Sequence, residues 1–556
     1  MICSSALFAE GYRTLVVPVE FSDIRFSDKT NEVDRKVARV QQYFNHQYSP
    51  TRVFSFDLHP TVRLSRERYW YGANSTVRKD ERIDQLVRDA CALITRDLSI
   101  YDNNNDGFID ALCFIAAGGS EADGAGVECI WPQQLYLKDR GGTISLNGKT
   151  VDCFTICAET SPMGTFCHEF AHTLGLMDLY DTDGSSSGGT SKGVWGSISL
   201  MDRGLNNDGG NTPPNFCAIE LDQLGIGTPL ELRSGYQTLH PVSQGKEYLR
   251  IDSDNEGEYF LLECRDNSGW DAAIGGKGML IYHIDRSGND GWYSDYYKHN
   301  LTAAERWQYN QVNCRPDHMC ARILEAVPGT QDLSGIFFPQ EGHNSFGSQT
   351  DPAFRYWSGE TSTIVIEDME LHEDGSVSFN LFSPIIVREV TIFQDAVIFT
   401  WSADNSLKVR DCELSWSGGK SQKVKKQADG YYNAIIENLQ PSTAYTFVVR
   451  LSCEDGSVHT VSRTFTTKSR LSGARPYIYL SFMNRLSDGS FPAGERFPMR
   501  VYNASNVVSV DWLFNNKYIF PDTDGFWRLT ESGTLKAKVL YTDGSVDVII
   551  KEITVR

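Results

Sequence analysis

Two stretches of this chain run largely apolar: residues 14–21 (TLVVPVEF) and 110–119 (DALCFIAAGG). The first is rich in β-branched residues, and both have the pattern of buried strands. Residues 33–46 instead space Val33, Val37, Val40 and Phe44 by three and four, which predicts an amphipathic helix. A second helix is predicted over 81–98, with Ile83, Leu86, Val87, Ala90 and Ile94 on one face. A further helix begins near residue 164. Beyond residue 228 the pattern changes to short strands separated by Gly, Asn and Asp: YLRID (248–252), EYFLLEC (258–264), GMLIYHID (278–285) and SVSFNLF (376–382). Strand patterns continue to the last residue. The expected fold is multidomain, a mixed α/β domain followed by three β-sandwich-type domains. The predicted boundaries are 1–228, 229–385 packed on the first domain, 386–468 and 469–556.

At 556 residues the chain has room for about three or four domains. Its formal charge of −20 argues against a nucleic-acid partner and against binding to anionic membrane surfaces. No apolar run reaches 18 residues, so no membrane span is expected. The 13 cysteines are odd in number, leaving at least one unpaired, and no C-x-x-C pair suggests a metal ribbon.

The chemistry concentrates in residues 164–181, GTFCHEFAHTLGLMDLYD. His168 and His172 stand at i and i+4, on one helix face, where two imidazoles reach one zinc ion. Glu169 between them is placed to act as general base. Gly175 lets the helix stop and the chain reverse, bringing in Asp178 as third ligand. Asp181 and, from a later helix, Glu220 are rivals for that place. This is the metzincin spacing H-E-x-x-H-x-x-G-x-x-D, with Asp for the third His. Met201, 23 residues past Asp178, falls where that group places a methionine turn under the metal.

With these motifs the chain resembles the immune inhibitor A family of secreted zinc metallopeptidases. Similarity to the family pattern extends through TLVVPVEFSD (14–23), YDNNNDGFIDALCFIAAGG (101–119), IWP (130–132), YFLLECR (259–265) and GWDAAIGGKGMLIYHID (269–285). It departs at Gln133, where His is expected, and at Met177, where Pro is expected. The resemblance implies a secreted or cell-surface endopeptidase acting on protein or peptide substrates. The signal peptide and propeptide usual in such enzymes are not recognisable in this sequence, which reads as a trimmed or mature form. The alternative is a catalytically inactive adhesion or ligand-binding protein on a peptidase fold. Residues 386–468 resemble a fibronectin type III domain, with Trp401 in its core and Leu439, Pro441 and Tyr445 in the tyrosine-corner pattern. In such a domain Cys412 and Cys453 would end neighbouring strands and bridge. Residues 469–556 resemble an immunoglobulin-like sandwich, with Trp512 in a central strand and a hairpin around Asp543 and Gly544. Such modules bind a surface, a glycan or a protein, or act as spacers.

Several other groups have two readings each. Asp102, Asn104, Asp106 and Asp110 match positions 1, 3, 5 and 9 of an EF-hand-like calcium loop, but position 12 is Cys113. The other reading is a turn satisfied by its own backbone. Asp181 and Asp183 are a second calcium candidate. His283, Asp285, His318 and Cys320 read as buried groups with local partners. The oxyanion-stabilising group is not evident: Arg203 stands where many metzincins have Tyr, and Tyr180 is a candidate.

Overall fold

A computed structural model describes residues 10–27, 31–76, 78–288, 291–393, 395–427, 430–468, 476–478, 490–494, 496–502, 504, 507–522, 525–542 and 546–556. The chain packs as two compact units. The first holds most of the chain up to residue 381; the second holds residues 382–556 and two short pieces, 232–234 and 254–256.

The first unit is built on a sheet. Strand β1 (Glu10–Glu20) is followed by helix α1 (Glu32–Tyr48), whose Val37, Val40 and Phe44 are buried as their spacing predicts. After β2 (Arg52–Leu58) comes α2 (Ile83–Cys91). This helix is shorter than the 81–98 pattern predicts. The N–H groups of Leu93 and Ile94 donate to the carbonyls of Ala90 and Cys91, so the chain tightens out of the α-helix while Ile94 and Leu98 stay buried. Apolar spacing reports burial, not the hydrogen-bond ladder. Strands β3 (Leu112–Ala116), β4 (Gln133–Tyr136) and β5 (Cys153–Ala158) complete the sheet in the order β2-β1-β3-β5-β4, with Val62–Arg63 also against β1. The first four strands run parallel, and β4 is an antiparallel edge. β3 and β5 are buried on both faces, hence their continuous apolar runs. Side chains of β1 alternate between two cores. Val16 joins Phe44, Phe54 and Phe170 on one face; Leu15 and Val17 join Leu86, Phe114 and Phe154 on the other.

The first of these cores runs on through residues 242–337 and includes Tyr259, Leu261, Leu280, Tyr282 and Ile336. These come largely from β6 (Glu247–Asp252), β7 (Glu258–Arg265) and β8 (Gly278–Asp285), which form a five-stranded sheet with Thr228–Pro229 and Ala321–Ile323. Arg265 on β7 is fully buried. Its guanidinium donates to Glu263 and Asp271 and to the carbonyls of Asn215 and Ile198, tying β7 to the chain ahead of it.

In the second unit, strands Ile385–Ile392, Ala396–Ala403 and Tyr432–Glu437 form one sheet. Lys420–Lys423, Val409–Trp416, Ala444–Cys453 and Val458–Thr466 form another, and both contribute to a core around Trp401 and Phe447. The Gln440 N–H donates to the Tyr445 hydroxyl at 2.9 Å, closing the corner expected there. The expected Cys412–Cys453 bridge is not formed. Their strands are antiparallel neighbours, but Cys412 opposes Leu451 and Cys453 opposes Val409, so the two thiols are diagonal and both free. A last sheet of four strands buries Trp512. Its strands Gly533–Tyr541 and Val546–Ile553 pair antiparallel, while Asp543 and Gly544 lie outside the described residues. Among the described residues no helix is long and apolar enough to cross a membrane.

Candidate metal centre

Helix α3 (Met163–Thr173) follows β5 directly and is buried along most of its length. At its start a Cβ on Gly164 would lie 2.0 Å from the Leu205 carbonyl oxygen, so helix and loop meet backbone to backbone. At its end Gly175 has φ +100°, which a residue with a Cβ rarely adopts. The chain reverses there and returns Asp178 to the helix.

His168 Nδ1 lies 2.9 Å from the Leu200 carbonyl, and His172 Nδ1 lies 2.9 Å from the Leu176 carbonyl. A carbonyl only accepts, so both Nδ1 atoms carry hydrogen and both Nε2 atoms are left to bind. They face Asp178 Oδ1 at 3.1 and 3.4 Å. Asp178 Oδ2 accepts from Asn310 Nδ2 at 2.7 Å, and the Asp178 N–H donates to Asn310 Oδ1 at 2.7 Å. Oδ1 itself is buried and makes no well-formed hydrogen bond.

Two lone pairs and a carboxylate oxygen thus converge in a buried place, which is unfavourable unless protons or a cation are shared among them. The electrostatics of the cluster point the same way. Burial lowers His168, but Asp178 lifts it to about 9; burial and Asp178 act on His172 in the same senses, with a net rise. Burial raises Asp178, and the imidazoles pull it far below the usual carboxylate range. One divalent cation satisfies this N, N, O set, which matches the donor chemistry of a zinc site.

Glu169 is buried beside them. Burial raises its pKa most, while the two histidines and the Gln134 backbone of β4 lower it. Met201 is fully buried. Its N–H donates to Ser199 Oγ and Glu220 Oε1, and its carbonyl accepts from the Leu179 N–H at 2.8 Å. Glu220, on helix α4 (Ala218–Leu224), spends both oxygens on Ser199, Met201 and Cys217, so it braces the backbone at Met201 and stands outside the cluster. Tyr180 stacks near His168, ring centroids 6.3 Å apart, and Arg203 is exposed.

In the loop at 102–110 the acidic side chains bond to the loop's own backbone and to Lys149. Asp102 accepts from the N–H groups of Asp106 and Gly107 and from Lys149 Nζ at 2.6 Å; Asp106 accepts from Phe108, and Asp110 from Asn103. Among the described residues two groups bring three ligand atoms within 4.8 Å of one another: His168, His172 and Asp178, and separately Asp181, Asp183 and Cys314. Asp181 thus stands apart from the histidines. His283 pairs with Glu258 and His318 with Asp285, both at 2.7 Å, the local partners expected. The sequence did not reveal Asn310, the two carbonyls behind the histidines, or the edge strand β4.

Residues 9–224 match the model of the immune inhibitor A peptidase M6 catalytic domain. Over this segment the chain is similar to that family. Pre-pro-metalloprotease PrtV of Vibrio cholerae serotype O1 (strain ATCC 39315 / El Tor Inaba N16961) is 30% identical over 203 residues, covering 31% of this chain and 22% of that protein. Immune inhibitor A of Bacillus thuringiensis subsp. alesti is 28% identical over 185 residues, covering 28% and 27%. The chain thus spans about a quarter of the length of these curated relatives. The fn3 domain of human collagen alpha-1(XX) chain is 22% identical over 17% of this chain and 88% of that one, at a TM-score of 0.14, from which no structural conclusion follows. All three metal-ligand candidates and Glu169 lie inside the immune inhibitor A-type segment; Asn310 lies outside it.

Proposed function

We propose that this protein is a secreted or cell-surface zinc endopeptidase of metzincin-like fold. The observation that carries the reading is the convergence of His168, His172 and Asp178 with Glu169 beside them. His168, His172 and Asp178 would hold the zinc, which supplies Lewis acidity toward a substrate carbonyl and acidifies a water. Glu169 takes the proton from the attacking water and passes it to the leaving amine. Its raised pKa suits both halves of that role. β4 is the edge of its sheet, beside Glu169, and offers main-chain groups to an extended peptide. Tyr180, whose phenol is held protonated by burial and by Asp178 and Glu169, is the proposed donor to the developing oxyanion. The β-rich region after residue 385 would carry a fibronectin type III-like and an immunoglobulin-like module for a surface, glycan or protein partner.

The test is zinc content together with cleavage of casein. Glu169→Gln is expected to keep stoichiometric zinc while hydrolysis falls by at least about 10²-fold. His172→Ala is expected to lose both, and Asp181→Ala to keep both. Should the zinc-loaded protein cleave nothing across a broad peptide library, the inactive binding protein replaces the peptidase. Unchanged cleavage by Glu169→Gln would place the reaction elsewhere.

A further inference from the structure

We propose that Asn310 is a positioning residue of the metal centre, restricting Asp178 to one ligand oxygen; this rests on the reading of His168, His172 and Asp178 as metal ligands. Asn310 stands 132 residues after Asp178 and outside the matched segment 9–224. It grips Asp178 at two points. The Asp178 main-chain N–H can only donate, so it fixes the amide oxygen of Asn310 toward itself, at 2.7 Å. The amide nitrogen is thereby turned to Asp178 Oδ2, also at 2.7 Å. That bond stabilises the ionised carboxylate and occupies Oδ2, leaving Oδ1 facing both imidazoles.

The pairing demands the chemistry of asparagine. It needs one donor and one acceptor a fixed distance apart, which alanine lacks and aspartate supplies only when protonated. It also needs a backbone at φ +56°, a region where asparagine is among the best-tolerated residues with a side chain. The surroundings hold Asn310 in register. Its carbonyl accepts from Thr182 Oγ1 at 2.9 Å. Three residues on, the buried Asn313 donates from Nδ2 to the Leu179 carbonyl at 2.7 Å and accepts the Ala321 N–H. Leu179 in turn donates its N–H to Met201. The ligand segment is therefore gripped by residues 310–313 as well as by the methionine turn. The metal centre is incomplete without chain that lies beyond the recognisable peptidase segment.

The test uses the full chain carrying Asn310→Gly, which keeps the left-handed backbone and removes both contacts, and Asn310→Asp, which keeps size and shape. Zinc affinity is measured by competition with a chromophoric chelator at pH 7.5. Both variants are expected to bind zinc about 10–100-fold more weakly, the usual cost of removing a partner behind a metal ligand. Cobalt(II) substitution adds a readout that a merely structural role would not move. With Oδ2 released, Asp178 becomes able to bind through both oxygens, and the visible cobalt absorption weakens as coordination number rises. His172→Ala is measured alongside. If it holds zinc like the parent, the metal-site reading itself fails. If His172→Ala loses zinc but both Asn310 variants stay within about threefold of the parent, with the parent cobalt spectrum, the positioning role is overturned. Should Asn310→Gly fail to fold, Asn310→Asp decides alone.

Discussion

At the scale of one residue, Asp80 shows how a buried carboxylate sets a local pH response. It is fully buried with φ +44°, a rare conformation for a residue with a side chain. Oδ2 accepts from the Trp131 N–H at 2.9 Å and from Gln133 Nε2 at 2.6 Å, while Oδ1 has no hydrogen-bond partner. Burial raises its pKa most and Glu121 adds to the rise; the two hydrogen bonds and Lys79 oppose it, and the result is about 7. The folded pKa lies above that of an unfolded Asp. The associated stability is therefore full below about pH 4 and is lost as pH rises through 7. Between pH 5 and 8 the parent is expected to lose stability relative to Asp80→Asn, by at most about 3 kcal/mol. Urea midpoints of both proteins at four pH values check this, and parallel slopes would remove Asp80 as the cause. Because Trp131 leads into β4 and Gln133 is its first residue, the same titration acts at the start of that edge strand.

At the scale of the element, α3 was legible and β4 was not. The i, i+4 histidines, the following glycine and the apolar positions between them specify a helix, its working face and its end. β4 is four residues, QQLY, half-buried to exposed, and becomes a strand only because β5 offers it an open edge. Gly164 carries a prediction about α3. The atoms its Cβ would meet are backbone, 2.0 Å and 2.9 Å away in Leu205, and cannot rotate aside. Gly164→Ala must shift the helix or the loop, at a cost of about 1–3 kcal/mol or more. Calorimetry of the metal-free protein should show a lower melting temperature, and zinc affinity should fall with it because both histidines ride on this helix. A parent-like melting temperature would mean that the contact is not as close as described.

At the scale of the molecule, a chain ending at residue 381 retains the first unit, whereas one ending at 228 divides its core. The longer piece is expected to unfold cooperatively and to bind one zinc per chain. The shorter piece leaves the apolar neighbours of Tyr259, Leu261, Leu280 and Tyr282 uncovered and lacks Arg265 and Asn310; it should show no cooperative transition. Calorimetry and zinc analysis of the two pieces separate these outcomes, and a well-folded, zinc-binding 1–228 would make the first domain independent after all. The sequence by itself determined the make-up of the candidate centre: His168, Glu169, His172 and Asp178, and the local spacing that brings them together. Those are short-range properties, carried by helical period and by a glycine at a turn. Tertiary structure alone decided what holds them in place: the carbonyls of Leu200 and Leu176 behind the imidazoles, Glu220 behind Met201, and Asn310 behind Asp178. A main-chain carbonyl has no letter of its own in the sequence. A partner 132 residues away is linked to its ligand only by the way the chain folds back, a long-range contact that no local pattern encodes.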